Sequence, residues 1–122
     1  MQKYTGLKRI GQAGVYSFNG WIAALRHESA FRQELFLAVL FLPIAMLIDV
    51  TRTERVILVI VTIFVLIVEL LNSAVEAVVD RIGVEHHELS GRAKDLGSAA
   101  VMTSLLLWLY VWGEIVVLGK LL

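Results

Sequence analysis

Three long apolar runs limit the folds open to this chain. They extend from Leu35 to Ile48, from Val56 to Val68 and from Leu96 to Gly113, and none of them contains a charged residue. A membrane-spanning helix needs about 20 mostly apolar residues, so each run spans a bilayer once it takes in its flanking turns. A soluble domain of 122 residues, 58% of them hydrophobic, has too little interior to bury three such runs. We therefore expect a single-domain, all-α membrane protein with spans at about residues 30–48, 54–80 and 92–118.

The segment before the first run has the pattern of an amphipathic helix. Leu7, Ile10, Phe18, Trp21 and Leu25 recur at helical spacing, and the polar residues between them fall on the opposite face. A helix with one aromatic, apolar face and one basic face lies in the headgroup plane of a bilayer. We therefore predict a surface helix at about residues 7–26. The alternative, a helix packed on protein, has less support because so small a chain offers little protein to pack on.

The basic residues are divided unequally between the two ends of the predicted spans. Only Arg52, Arg55 and Lys120 lie at one end. The other end has Lys3, Lys8, Arg9, Arg26, Arg32, Arg81, Arg92 and Lys94. The positive-inside rule then places the N-terminus and the loop 80–95 in the cytoplasm. The net charge of zero gives no reason to expect a nucleic-acid partner.

The second run continues as VELLNSAVEAVVD, which places polar residues at membrane depth. Glu69, Asn72, Glu76 and Asp80 follow one another at steps of three and four, so they share one face of a helix. An intramembrane carboxylate costs roughly 3 kcal/mol even on lenient insertion scales, which favours a functional role. A packing role stays open for Asn72. Because Glu69 and Glu76 are about 10 Å apart along the axis, they have separate roles. Three helices enclose such a stripe poorly, so we expect a neighbouring subunit to complete its burial.

The connection from Asp80 to Asp95 is rich in polar residues and suggests phosphate chemistry. A lysine near phosphate oxygens and carboxylates that hold a divalent cation are the groups that phosphoryl transfer needs, and Lys94 and Asp95 are of these types. Glu28 and Glu76 offer hard oxygen ligands for Mg²⁺, which takes one or two carboxylates plus substrate phosphates. The sequence has no phosphate-binding glycine loop and no soluble protein-kinase motif set, so scattered side chains and helix termini would hold a nucleotide.

Two other features of the connections are informative. The contiguous EHHE at 85–88 lacks the spacing of a zinc-binding helix and is more typical of a solvated or nucleotide-contacting loop. The chain has no cysteine, which excludes disulfides and thiolate metal sites. Thr53 and Ser90 are candidate N-caps for the second and third spans.

Longer segments resemble a known family. ELLNSAVEAVVDRIG at 69–83, HELSGRAKDLGSAAV at 87–101 and HESAFRQE at 27–34 are similar to the signature of the small membrane-integral diacylglycerol kinases of Gram-negative bacteria, and the likeness extends over nearly the whole chain. It implies an enzyme of the inner membrane that transfers the γ-phosphate of Mg-ATP to the free hydroxyl of diacylglycerol and yields phosphatidic acid. It also implies a homotrimer whose active sites lie between subunits near the cytoplasmic face.

The resemblance implies roles for individual residues. Glu69 would be the general base, Glu28 and Glu76 the metal ligands, and Asn72 and Asp80 supporting residues. The implied ATP contacts are Arg9, Tyr16, Glu28, Glu76, Glu85, His86, His87, Lys94 and Asp95. The implied lipid contacts are Ala13, Gly14, Val15, Tyr16, Ser17, Phe18, Ile22, Ala23, Ala24, Leu25, Ala30, Phe31, Arg32, Gln33, Glu34, Glu69, Ser98 and Trp112.

Two other functions stay open on the residues alone. A kinase of the same architecture acting on a polyprenol such as undecaprenol would need a similar polar stripe and would differ only at lipid-facing residues. A non-enzymatic pore or assembly protein would line an ion path with its glutamates. The clustering of the polar residues at one membrane face argues against a pore, since the third run has no charge from Leu96 to Gly113.

Overall fold

In the computed structural model, the described residues, 5–83 and 85–119, form four α-helices and no strand. Helix α1 is Gly6–His27, α2 is Ser29–Leu47, α3 is Arg52–Ile82 and α4 is Glu88–Trp112, which continues as a π-helix, Gly113–Leu118. The predicted all-α architecture is confirmed. Lys3 and Lys120, which entered the count of charges above, lie outside the described residues.

Three helical segments are long and apolar enough to cross a membrane, as predicted. They are Ser29–Leu47, Arg52–Ile82 and Glu88–Leu118. Helix α3 packs against both α2 and α4 and is the central element of the bundle. Its 31 residues rise about 46 Å, which exceeds the hydrocarbon thickness of about 30 Å. When the first turns of α3 lie within the apolar layer of the membrane, the last, polar turns of the helix therefore extend beyond that layer.

The helices α3 and α4 begin earlier than the sequence suggested. Thr51 caps α3: its hydroxyl accepts a hydrogen bond from the Glu54 amide at 3.1 Å, and the Glu54 carboxylate accepts one from the Thr51 amide at 3.0 Å. This reciprocal pair needs a glutamate three residues after the cap, which Thr51 has and Thr53 lacks. His87 caps α4, its Nδ1 accepting from the Leu89 amide at 3.1 Å. The predictions of Thr53 and Ser90 as caps were wrong.

Helices α1 and α2 are separated by one extended residue, Glu28, which forms an elbow between them. The Arg32 guanidinium donates to the carbonyl oxygens of Leu25 at 2.8 Å and Arg26 at 3.4 Å, so it satisfies the free end of α1. Beneath the elbow, Trp21 packs edge-on against the fully buried Phe31 with ring centroids 5.3 Å apart. These contacts hold Glu28 between α1 and α2, and Phe31 also belongs to a buried cluster that includes Leu66 of α3.

The connection between α2 and α3 lies at the end of the bundle opposite the elbow, called here the far end. The core at the far end is apolar. The buried residues of this cluster are Ala45, Leu58, Val61, Val65, Trp108 and Trp112. Phe41 packs edge-on against both tryptophans, at centroid distances of 4.8 Å to Trp108 and 5.1 Å to Trp112. Edge-to-face pairs of this kind add to the stabilisation from burial.

Thr62 supplies the polar partner that the two buried tryptophans require. Its hydroxyl, which is fully buried, donates to the Leu58 carbonyl at 2.7 Å and accepts from Trp108 Nε1 at 3.0 Å and Trp112 Nε1 at 3.1 Å. One donor and two lone pairs are the whole capacity of a hydroxyl group. Thr62 therefore fixes the register of α3 against α4.

We predict that Thr62→Val destabilises the protein, because it keeps the side-chain shape and leaves two buried indole N–H groups without an acceptor. The expected loss is about 1–3 kcal/mol for each unsatisfied donor, seen as a lower midpoint of thermal unfolding in detergent micelles. Thr103→Val is the matched control, because the exposed Thr103 hydroxyl bonds only to its own helix, at Ala99. Equal unfolding midpoints for the two variants would contradict the assignment of the Thr62 hydroxyl as the acceptor for both indole N–H groups.

Candidate functional site

The polar stripe of α3 lies toward the end of the bundle that contains the elbow. Glu69 is 3% exposed and Asn72 is 8% exposed, while Glu76 is half-buried and Asp80 is exposed. The expectation that a single chain leaves this stripe unenclosed therefore fails for Glu69 and Asn72. Both residues are buried without a second subunit: Gly97 of α4 lies against Asn72, and Glu28 of the elbow lines the same cavity as Glu69 and Asn72.

A cavity of about 460 Å³, called here the carboxylate cavity, brings together three of the predicted acidic residues. Glu28 enters it from the elbow, and Glu69 and Glu76 enter from α3. The remaining lining residues are Ser29, Ala30, Asn72, Ser98, Val101, Met102 and Leu105. Glu28 is distant in sequence from Glu69 and Glu76, which lie on different turns of α3. This clustering therefore depends on how α1, α2 and α3 pack.

Asn72 connects the two glutamates of α3. Its Nδ2 donates a hydrogen bond to Glu76 Oε1 at 3.2 Å. Its Oδ1 is buried and accepts no hydrogen bond. The amide therefore presents its donor end to Glu76 and its acceptor end to the backbone of α4.

The donor set suits a magnesium ion only if a substrate contributes ligands. Glu28 and Glu76 provide carboxylate oxygens, the ligand type that Mg²⁺ prefers, on the wall of one cavity. Within the described residues there is no group of three or more His, Cys, Asp or Glu side chains placed to hold a metal ion. Mg²⁺ usually keeps one or two carboxylates and completes its shell with water and substrate phosphates. The two glutamates fit that pattern.

A second cavity of about 300 Å³, called here the loop cavity, lies between the end of α3 and the start of α4. It is lined by Val79, Asp80, Gly83, Glu85, His86, His87, Ser90, Gly91 and Lys94. Lys94 Nζ lies 2.7 Å from Asp80 Oδ1, and both side chains are partly exposed. The loop cavity therefore offers a positioned cation and several polar side chains to a ligand.

A groove of about 650 Å³, the helix groove, separates α1 from α3 and is mostly apolar. It is lined by Ser17, Gly20, Trp21, Ala23, Ala24, His27 and Glu28 on one side and by Leu70, Ser73, Ala74 and Ala77 on the other. Glu28 lines both the helix groove and the carboxylate cavity. Two spaces of different polarity therefore meet at Glu28.

The structure gathers some of the predicted lipid contacts and separates others. Ser17, Ala23 and Ala24 line the helix groove, and Ala30, Glu69 and Ser98 line the carboxylate cavity. On α1 the exposed ones are Ala13, Gly14, Val15, Tyr16 and Phe18, and the half-buried ones are Ile22 and Leu25.

The remaining predicted contacts have other surroundings. Phe31 belongs to the core, Arg32 bonds to α1 and Gln33 is exposed. Glu34 is 9% exposed, and its Oε2 has no hydrogen-bond partner. Trp112 lies in the far-end core, bonded to Thr62.

The predicted nucleotide contacts divide in the same way. Glu85, His86, His87 and Lys94 share the loop cavity, whereas Glu28 and Glu76 share the carboxylate cavity. Arg9, Tyr16 and Asp95 are exposed and line neither cavity.

Sequence reasoning did not identify the α3 side of the helix groove. Leu70, Ser73, Ala74 and Ala77 recur at helical spacing on the face next to the polar stripe, and three of the four are small. That pattern of small residues was the available signal. Trp21 and His27 on the α1 side were also not assigned to a site.

Comparison with known proteins finds relatives that match most of the chain. A family model described as "Prokaryotic diacylglycerol kinase" matches residues 15–116. The chain is 51% identical over 111 residues to a diacylglycerol kinase of Pseudomonas aeruginosa, covering 91% of this chain and 90% of that protein. It is 47% identical over 115 residues to that of Haemophilus influenzae (94% and 98%) and 52% identical over 108 residues to that of Escherichia coli K12 (88% and 88%). The family match includes all residues that line the two cavities and the helix groove.

Proposed function

The chain belongs to the prokaryotic diacylglycerol kinase family and is a lipid kinase, and from this premise we propose that it phosphorylates diacylglycerol with ATP at the carboxylate cavity. The observation that carries the proposal is the position of Glu69. This glutamate is almost completely buried, and it lies in a cavity that shares Glu28 with the apolar helix groove. A lipid hydroxyl and a polar ligand can both reach such a place.

Glu69 acts as the general base. Its carboxylate accepts the proton of the diacylglycerol hydroxyl as the hydroxyl oxygen bonds to the γ-phosphorus of ATP. The bond between that phosphorus and the oxygen that bridges to the β-phosphate breaks, and the products are phosphatidic acid and ADP. A positioned base of this kind contributes about 10²–10⁴-fold to a reaction rate.

Glu28 and Glu76 would hold Mg²⁺ together with the nucleotide phosphates. The ion would supply positive charge that stabilises the transferring phosphoryl group. Asn72 restrains the Glu76 carboxylate through its hydrogen bond, so that the carboxylate stays directed into the cavity. Two carboxylate ligands are consistent with an ion that completes its shell with nucleotide phosphates and water.

The loop cavity receives the nucleotide. Lys94, which Asp80 holds at 2.7 Å, approaches the phosphates as a point charge, and Glu85, His86 and His87 contact the rest of the nucleotide at the rim. Asp80 is one helical turn beyond Glu76 on α3, so a nucleotide in the loop cavity extends its phosphates toward the carboxylate cavity. Arg9, Tyr16 and Asp95 complete these contacts by the family resemblance.

Diacylglycerol lies in the helix groove with its hydroxyl directed toward Glu28 and Glu69. The groove is lined chiefly by alanine, leucine and tryptophan side chains, which suit acyl chains. The relatives are named as diacylglycerol kinases, so the comparisons support this substrate and do not support a polyprenol kinase or a pore.

The membrane placement and assembly follow from other features. The excess of basic residues at the elbow end supports an orientation with the N-terminus and both cavities on the cytoplasmic side. The inner membrane is the location that the family resemblance implies. A homotrimer is the assembly that the family resemblance implies.

We predict that Glu69→Gln lowers kcat by about 10²–10⁴-fold with little change in the KM for Mg-ATP, because it removes the base and keeps the side-chain shape. Glu114→Gln is the matched control, since it removes one exposed carboxylate at the far end. The measurement is lipid phosphorylation in mixed micelles. A folded Glu69→Gln protein with the parent rate would show that Glu69 is not the base.

A second prediction concerns the partner of Lys94. Because the Lys94 and Asp80 side chains are 46% and 65% exposed, water screens their attraction and the pair contributes little to stability. Asp80→Asn is expected to raise the KM for ATP about threefold to tenfold with an unchanged unfolding midpoint, since Lys94 loses its restraint. Glu88→Gln is the control, as it breaks the exposed Arg92–Glu88 pair, and Glu88 does not line the loop cavity. Equal KM values for the two variants would contradict the role of Asp80.

The substrate is tested by presenting diacylglycerol and undecaprenol in parallel micelles with Mg-ATP. We expect phosphatidic acid to form, and the reaction to stop when EDTA removes the metal. Preferential formation of polyprenyl phosphate would overturn the proposed substrate, and a failure to phosphorylate either lipid would overturn the proposed function.

A further inference from the structure

Gly97 marks a close approach of the α4 backbone to the polar stripe of α3. A Cβ atom built on Gly97 would overlap Asn72 Oδ1 and would lie 3.2 Å from Asn72 Cγ. Among the glycines of the described residues, Gly97 alone has a side-chain atom this close to the position of its missing Cβ. The contact is therefore a particular feature of this position and not a general property of glycines in the bundle.

The Asn72 amide is held between this glycine and Glu76. Its Nδ2 donates to Glu76 Oε1 at 3.2 Å, and its Oδ1 is buried without a conventional donor. Because a Cβ on Gly97 would point at Oδ1, the Cα–H bond in that direction points at the same oxygen. Contacts between Cα–H groups and amide oxygens are weakly favourable and recur at helix–helix interfaces. Gly97 thus supplies the space for that oxygen and a weak contact to it.

We propose that Gly97 is a positioning residue of the kinase reaction, which acts through Asn72 to hold the Glu76 carboxylate in its orientation. This inference rests on the proposed function, in which Glu76 is a ligand of the nucleotide-bound metal. A side chain at position 97 would require the Asn72 amide to rotate away, or α3 and α4 to separate. Rotation disturbs fewer contacts, because separation would break the buried packing around Ser104 and Trp108. A rotated amide no longer donates to Glu76.

The fold itself should tolerate alanine at position 97. Alanine is a better helix former than glycine, and Gly97 lies inside α4. The atom it would displace is the end of a side chain and not backbone. Loss of activity in a folded protein is therefore the expected consequence.

The test is a double-mutant cycle on Gly97→Ala and Asn72→Ala, with Gly113→Ala as control. Gly113 ends the same helix and has nothing within 4 Å of the position of its missing Cβ. We expect Gly97→Ala to lower kcat/KM by about tenfold or more and to raise the Mg²⁺ concentration for half-maximal rate, while Gly113→Ala stays within about twofold of the parent. In the Asn72→Ala background, Gly97→Ala should cause no further loss of kcat/KM, because the Asn72 side-chain oxygen that the new methyl group would displace is absent.

A second readout does not depend on catalysis. The side-chain amide resonance of Asn72, assigned by its disappearance in Asn72→Ala, is measured by NMR without nucleotide or metal. It should move in Gly97→Ala and stay in place in Gly113→Ala. If Gly97→Ala does not fold, the double variant should fold and match Asn72→Ala in rate, since the overlap is relieved.

Several outcomes overturn the inference. They are parent-like activity of Gly97→Ala, losses that multiply in the double variant, an unmoved Asn72 resonance, or a double variant that does not fold. These results are distinct from a failure of the proposed function, in which the parent protein itself would not phosphorylate diacylglycerol.

Discussion

The burial of Glu69 and Asn72 is the constraint on which the rest of this structure depends. A carboxylate at membrane depth is costly in contact with lipid, so the chain must surround it with protein. Helix α4 closes over the stripe at Gly97, and the elbow brings Glu28 to the same cavity. The apolar core around Thr62 at the far end fixes α3 against α4, which holds that enclosure in place. The contacts that stabilise the bundle and the residues of the candidate site therefore lie toward opposite ends of α3 and α4.

Under the proposed function, this separation lets so small a protein hold two unlike ligands. The far end contains tryptophan and aliphatic side chains, and its buried Thr62 hydroxyl is fully used by hydrogen bonds. Toward the elbow, an apolar groove and two polar cavities lie side by side, with Glu28 shared between the groove and the carboxylate cavity. Such a boundary is where a lipid hydroxyl and a nucleotide phosphate can meet while the acyl chains stay in an apolar environment.

Local patterns in the sequence were sufficient to predict the helices and the types of residue that line the candidate site. The three apolar runs predicted the spans, and the spacing of Glu69, Asn72 and Glu76 predicted their common face. Contacts between distant residues were not predictable in this way. The bonds from Trp108 and Trp112 to Thr62 connect residues about 50 positions apart, and Gly97 shows its role only when α4 lies against Asn72. The cap of α3 was missed because Thr51 is distinguished from Thr53 only by Glu54, the residue that completes its capping box. The cap of α4 was missed because histidine is an unusual N-cap residue.

The central claim is that the lipid and the nucleotide meet at Glu69. The most direct test is the distance between the Glu69 carboxylate and the substrate hydroxyl, in a structure of the protein with diacylglycerol, Mg²⁺ and a non-hydrolysable ATP analogue. We expect a hydrogen-bond distance of about 2.6–3.2 Å, with the γ-phosphate analogue on the other side of the hydroxyl. A bound lipid whose hydroxyl lies outside the carboxylate cavity, in contact with another side chain, would show that Glu69 is not the meeting point.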